Sequence, residues 1–225
     1  MTDRRSGRPA GDAGPRRRVV VLDYGSGNLR SAQRALAAAG ADVLVTDDLA
    51  AAADADGLVV PGVGAFAACM AGIEALGAGP VIAGRVAAGR PVLGICVGMQ
   101  ILFESGDEHG VVTKGLGLLP GSVTRLAAAR LPHMGWNTVQ APVGSVLFAG
   151  LPADSRFYFV HSYAVRDAAA LTSAGARVTT AHHETDFVAA VERGVLSAAQ
   201  FHPEKSADTG AALLRNWLAT VPADG

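Results

Sequence analysis

Gly94-Ile95-Cys96-Val97-Gly98 sets a cysteine between small neighbours where an apolar run gives way to a helical pattern. That is the setting of a nucleophile elbow with cysteine in place of serine. The flanking glycines let the chain turn without clash, and the backbone N–H of Val97 points at a developing oxyanion. The same residues also read as a buried core cysteine between glycines chosen for helix–sheet packing. A cysteine nucleophile needs a base, and the base an orienting acid. Gln200-Phe201-His202-Pro203-Glu204 offers both, because Pro203 holds His202 extended and residues 202 and 204 then project to one side. The competing reading is a surface turn with an incidental His and Glu. Gly62-Val63-Gly64 is either a loop of backbone donors, able to complete an oxyanion hole with Val97, or a plain turn after a strand. Cys69 lies among Ala and Met in a helical stretch and reads as core. His182 and His183 face opposite ways on a strand with no further Cys or His cluster nearby, so no metal site is expected.

These groups need strands ending at a common edge. From residue 18 the chain alternates apolar runs, Gly-rich turns and helical stretches, which implies an α/β fold with a largely parallel sheet. Strands are expected at 19–23, 43–45, 58–60 and 91–96, and helices at about 29–39, 65–76, 80–88 and from Cys96 to about Glu104. Gly40 stops the first helix. Beyond residue 110 shorter segments at 123–126, 136–139, 157–160, 178–180, 187–191 and 195–200 read as antiparallel or mixed strands added to the parallel core. A closing helix is expected at about 209–219, with Asp208 as its N-cap.

In combination, GICVGMQ (94–100), His202-Pro203-Glu204 and Pro61-Gly62-Val63-Gly64 resemble the class I, triad-type glutamine amidotransferases. The blocks DYGSGN (23–28), PGVGAF (61–66), PHMGWN (132–137), FVHSY (159–163) and FHPEKS (201–206) narrow the resemblance to the glutaminase subunits of imidazole glycerol phosphate synthases, over residues 19 to about 220. The resemblance implies a flavodoxin-like open, mostly parallel sheet flanked by helices, with antiparallel strands added in the C-terminal half. It implies a Cys96, His202 and Glu204 triad, an oxyanion hole from Gly62, Val63, Gly64 and Val97, and glutamine binding by Gln100, Glu108, His161, Ser162 and Tyr163. The implied substrate is L-glutamine, with no cofactor. The implied partner is a (β/α)8-barrel cyclase subunit, held as a heterodimer, which uses the ammonia to make imidazole glycerol phosphate in histidine biosynthesis. Asn28, His133, Trp136, Asn137 and Lys205 are the candidates for that docking face. The alternatives are the glutaminase of another synthase, such as anthranilate or aminodeoxychorismate synthase, and a cysteine hydrolase on the same scaffold. The DYGSGN turn and the PHMGWN block speak against the former.

The chain has 225 residues, 50% of them hydrophobic, and a formal charge of −1. One domain of that length buries roughly 70% of its unfolded surface. Mean hydropathy is +0.29, yet the charge-free run 57–73 is too short for a membrane span and is broken by Pro61 and four glycines. Residues 1–17 are expected to form a basic, disordered leader ahead of a domain at 18–222. Residues 1–18 carry +4, so the body from residue 19 is acidic at −5, and neither nucleic acid nor membrane is expected as a partner. Two cysteines make no disulfide framework, which fits a reducing cytoplasm.

Overall fold

A computed structural model describes residues 16–222. The first half runs β1 (Arg18–Leu22), α1 (Leu29–Ala38), β2 (Asp42–Thr46), α2 (Leu49–Asp54), β3 (Gly57–Gly62), α3 (Phe66–Leu76), α4 (Gly79–Ala87), β4 (Val92–Cys96) and a one-turn α5 (Val97–Gln100). The second half runs β5 (Phe103–Glu108), β6 (Val111–Lys114), β7 (Leu119–Arg125), β8 (His133–Thr138), β9 (Arg156–His161), β10 (Tyr163–Val165), α6 (Ala168–Ser173), β11 (Arg177–His182), β12 (Asp186–Arg193), β13 (Leu196–Ala199) and α7 (Ala207–Thr220).

Seven strands form the main sheet in the order β11-β12-β13-β4-β3-β1-β2. From β13 to β2 all neighbours are parallel, and β11 and β12 extend the sheet antiparallel. Every residue of β3 and β4 is buried, as expected of central parallel strands covered on both faces. The register decides the function. Gly62 pairs with Cys96, and Ala199 pairs with Ile95, so three strand ends deliver Gly62, Cys96 and Gln200 to one edge. Behind that edge Phe157, Phe159, Phe187, Phe201 and Trp217 are fully buried, with Phe157 and Phe201 4.3 Å apart between ring centres.

The structure departs from the sequence expectations at several points. The helix expected from Cys96 to Glu104 ends at Gln100, and Phe103–Glu108 is a strand. The carbonyls of Ile101, Leu102, Phe103 and Glu104 accept from the N–H groups of residues 115–119, so this stretch pairs with a later segment in place of coiling on. Gly115 makes that approach possible, since a Cβ there would lie 2.2 Å from the Phe103 oxygen. The strands expected at 123–126, 136–139 and 157–160 exist but leave the main sheet: β10-β7-β5-β6 and β8-β9 are separate small sheets. Ser206, not Asp208, stands at the N-cap of α7, and Asp208 falls in its first turn. The sequence reading also passes over α2, capped by Asp48 Oδ1 on the N–H groups of Ala50 and Ala51 at 2.8 and 3.3 Å, and over β5, β6, β10 and α6.

The expected leader lies, through residue 15, outside the described residues. Arg17 is tied to the domain: its Nε donates to Val221 O at 2.7 Å and its carbonyl accepts from Asp42 N at 2.9 Å. No single helix among the described residues is long and apolar enough to cross a membrane.

Glycines at the elbow and on the surface should respond oppositely to a methyl group. A Cβ on Gly98 would sit 1.9 Å from Val60 O, whereas one on Gly84, exposed inside α4, meets nothing within 4 Å. Thermal melts should therefore show Gly98→Ala losing about 3 kcal/mol or more and Gly84→Ala gaining about 0.5–1 kcal/mol.

Candidate active site

Cys96 ends β4 with φ 56° and ψ −115°, a conformation that side chains avoid and that costs of order 1–3 kcal/mol. The neighbouring glycines impose it. A Cβ on Gly94 would lie 2.7 Å from Gly98 O, and one on Gly62 would lie 2.5 Å from Gly98 N, so β3 and the start of α5 press together around the cysteine. Cys96 is buried at 4% exposure but lines a cleft of about 190 Å³. Val97 opens α5, where backbone N–H groups have no intrahelical acceptor and remain available to an oxyanion.

Pro203–Lys205 forms a single 3-10 turn after His202, which itself is extended at φ −103°, ψ 95°. The turn, rather than the strand-like alternation read from the sequence, brings Glu204 back onto the ring. Glu204 Oε1 lies 2.7 Å from His202 Nδ1, and both side chains are 2% exposed. A carboxylate only accepts, so His202 carries its hydrogen on Nδ1 and directs Nε2 toward chemistry. Nε2 is buried without a hydrogen-bond partner, as is Glu204 Oε2. His202 is anchored through its backbone: its N–H donates to Tyr158 O at 2.9 Å and its carbonyl accepts from Ser206 Oγ at 2.7 Å. Burial opposes the imidazolium, but the Cys96 sulfur and the Glu204 carboxylate outweigh it and push His202 up to about 9.

The cleft gathers Val63, Gly64, Val97, Gln100, Glu108, His161, Ser162 and Tyr163 beside Cys96 and His202, with Gly62 and Glu204 directly behind. Two of these side chains already have other work. Gln100, 3% exposed, donates from Nε2 to Tyr163 O at 2.9 Å and to Gln200 Oε1 at 3.0 Å, cross-linking the cleft wall instead of standing free for substrate. Glu108 Oε2 accepts from the N–H of Phe66 at 2.9 Å and so caps α3 from another strand. A roomier cleft of about 440 Å³, lined within residues 139–155, holds neither a cysteine nor a histidine.

Sequence reasoning misses the clamp on the donor loop. Val63 N–H donates to Ser26 Oγ at 3.2 Å, and Val63 O accepts from Ser26 Oγ at 3.2 Å and from Cys69 Sγ at 3.4 Å. Tyr24 donates to Pro61 O, and burial pushes its phenol and the Cys69 thiol up, so both remain donors. Only the DYGSGN block points at these residues, and nothing local ties them to a loop 37 positions away. Of the expected docking residues, Lys205 is exposed on the cleft rim and Trp136 is 49% exposed. His133 is turned inward at 5% exposure, part-buried Asn137 donates to His182 O at 2.8 Å, and Asn28 Nδ2 donates to Glu204 Oε1 at 3.1 Å, behind His202.

Residues 20–221 match the family model for glutamine amidotransferase class-I. The chain is 65% identical over 200 residues to the imidazole glycerol phosphate synthase subunit HisH of Mycolicibacterium paratuberculosis, covering 89% of this chain and 96% of that one. It is 62% identical over 208 residues to the protein of the same description from Thermobifida fusca, covering 91% and 99%. In fold it is similar to the crystal structure of a glutamine amidotransferase, with a TM-score of 0.70 at 21% identity over 90% of this chain and 98% of that one. The chain belongs to the class-I glutamine amidotransferase family, in the branch of the imidazole glycerol phosphate synthase HisH subunits.

Proposed function

We propose that the chain hydrolyses L-glutamine to glutamate and ammonia as the glutaminase subunit of an imidazole glycerol phosphate synthase. It passes the ammonia to a cyclase partner, which is a (β/α)8 barrel docked as a heterodimer, for histidine biosynthesis. The observation that carries the reading is the buried His202–Glu204 pair at 2.7 Å, in one cleft with a strained Cys96. Relatives 58 to 65% identical over about nine-tenths of the chain favour this synthase over other glutamine-dependent ones. A thiol nucleophile fits the reducing cytoplasm.

Cys96 Sγ attacks the side-chain carboxamide carbon of glutamine, and its proton passes to His202 Nε2. The tetrahedral oxyanion takes the Val97 N–H, and His202 then gives its proton to the departing ammonia. Water, deprotonated by His202, attacks the thioester; the carbon–sulfur bond breaks and glutamate leaves. Glu204 keeps the ring oriented throughout. Glu108 and the backbone of residues 161–163 hold the amino-acid end of the substrate. The second oxyanion donor is withheld at rest, because Val63 N–H is taken by Ser26 Oγ. Gly64, at φ +86° with open space around its Cα, lets the adjoining peptide turn. Docking of the cyclase is the event that turns it, through the face bearing Trp136 and Lys205.

Glutamate release should rise when the cyclase and its nucleotide substrate are added to the wild-type chain, and Cys96→Ala should abolish it; release that survives the substitution removes Cys96 as nucleophile. Freeing Val63 N–H by Ser26→Ala should raise the partner-free rate several-fold, and an unchanged rate dissociates the clamp from control. His202 lies above its ordinary 6.5, so its stabilisation is complete below that pH and disappears as pH rises through about 9. A pH–rate profile of kcat/KM should accordingly climb as pH approaches about 9, where His202 Nε2 becomes free to take the Cys96 proton. Glu204→Gln should move that limb to lower pH and slow turnover about 10²- to 10⁴-fold.

A further inference from the structure

Behind the cleft wall, four polar groups form one line. Asn137 Nδ2 lies 3.3 Å from His133 Nε2, His133 Nδ1 lies 3.0 Å from His161 Nε2, and His161 Nδ1 lies 3.0 Å from the Tyr163 carbonyl oxygen. The ends of the line assign every proton. A carbonyl only accepts, so His161 carries its hydrogen on Nδ1 and, being neutral, accepts at Nε2. His133 must then donate from Nδ1, which leaves its Nε2 to accept from the Asn137 amide. The amide cannot be reversed, since Nδ2 also donates to His182 O at 2.8 Å and Oδ1 accepts from Thr138 N at 2.9 Å. A proton added to either Nε2 would meet another N–H. Burial accordingly lowers both rings, His133 to about 4 and His161 to about 3.

The line joins the two regions that matter. Its inner end, the Tyr163 carbonyl, also accepts from Gln100 Nε2 at 2.9 Å; Gln100 continues to Gln200, whose Nε2 lies 3.9 Å from Cys96 Sγ. Its outer end lies on β8, where Met134 and Trp136, alternating with His133 and Asn137, are 62% and 49% exposed. His133 stacks on Phe159 at 4.8 Å and on His183 at 4.2 Å, so its ring has little freedom.

We propose that His133 and His161 are positioning residues: a neutral, single-tautomer relay that couples the placement of the exposed β8 face to the 161–163 wall of the glutamine cleft. Both ring nitrogens of His161 are committed to the relay, so it holds the Tyr163 peptide and takes no proton from substrate. The glutamine part of the proposal rests on the glutaminase reading above.

Kinetics of the complex of chain, cyclase and nucleotide test the relay with two variants. His133→Phe keeps a stacked ring of similar volume without a donor. His133→Asn loses the ring but sets an amide N–H near the position of Nδ1. A relay requires KM for glutamine to rise about five- to tenfold in His133→Phe, the worth of one buried hydrogen bond, with kcat changed less than about twofold, and most of that loss to return in His133→Asn. A packing role gives the opposite order of variants and overturns the proposal, as does an unchanged KM in His133→Phe. Long-range ¹H–¹⁵N NMR of the full chain near neutral pH should show both rings neutral with hydrogen on Nδ1, and an Nε2–H tautomer or an imidazolium at either ring overturns the relay whatever the substrate. A wild-type complex that leaves glutamine intact sinks the glutaminase reading instead, and the tautomers then decide whether the relay exists.

Discussion

The contact between the start of α5 and β3 is the constraint on which the site depends. Gly98 passes so close to Val60 O that no side chain fits, and this closeness forces the abrupt turn at Cys96. The strain is sustained by what surrounds it: β3 and β4 are buried along their whole length, and their parallel register fixes Gly62 against Cys96. On the other side of β4, β13 ends in step and feeds Gln200 and then His202 to the same edge. Cys96, the loop at Gly62 and His202 thus come from three separate strands, and their relative placement is a property of the sheet.

Electrostatics then separates the histidines by role. His202 is as deeply buried as His161, yet the two are pushed in opposite directions, up to about 9 and down to about 3. The difference lies in the partners. His202 faces a carboxylate and a sulfur, whereas His161 faces a carbonyl and a second neutral ring. The same residue type is therefore favoured in its charged form at one place and in its neutral form at another.

The groups acting through their own sequence neighbourhood are legible: the glycines around Cys96, the His-Pro-Glu unit, and the apolar runs that form β1, β3, β4 and β13. Signals set by distant partners are not. After α5, residues 101–104 pair through their carbonyls with the N–H groups of residues 115–119, which no periodicity in 97–104 records. Gln100 does line the cleft, but its bond to Tyr163 spans 63 positions, so its cross-linking role is invisible in the sequence. Asn28 and His133 read as surface polar groups because neither neighbourhood shows the fold closing over them. Asp48 ahead of an alanine run is a cap signal present in the sequence and easily passed over, since a six-residue helix barely registers as periodic.

Glu108 serves two structures at once, as the cap on the first N–H of α3 and as a carboxylate in the cleft. On the proposed function, substituting it to admit a different amino acid would also release the helix that carries Met70 and Ile73 into the core. Selectivity at this wall is therefore coupled to folding. A variant accepting another amide would have to supply a replacement acceptor for Phe66 N–H before the pocket itself could be reshaped.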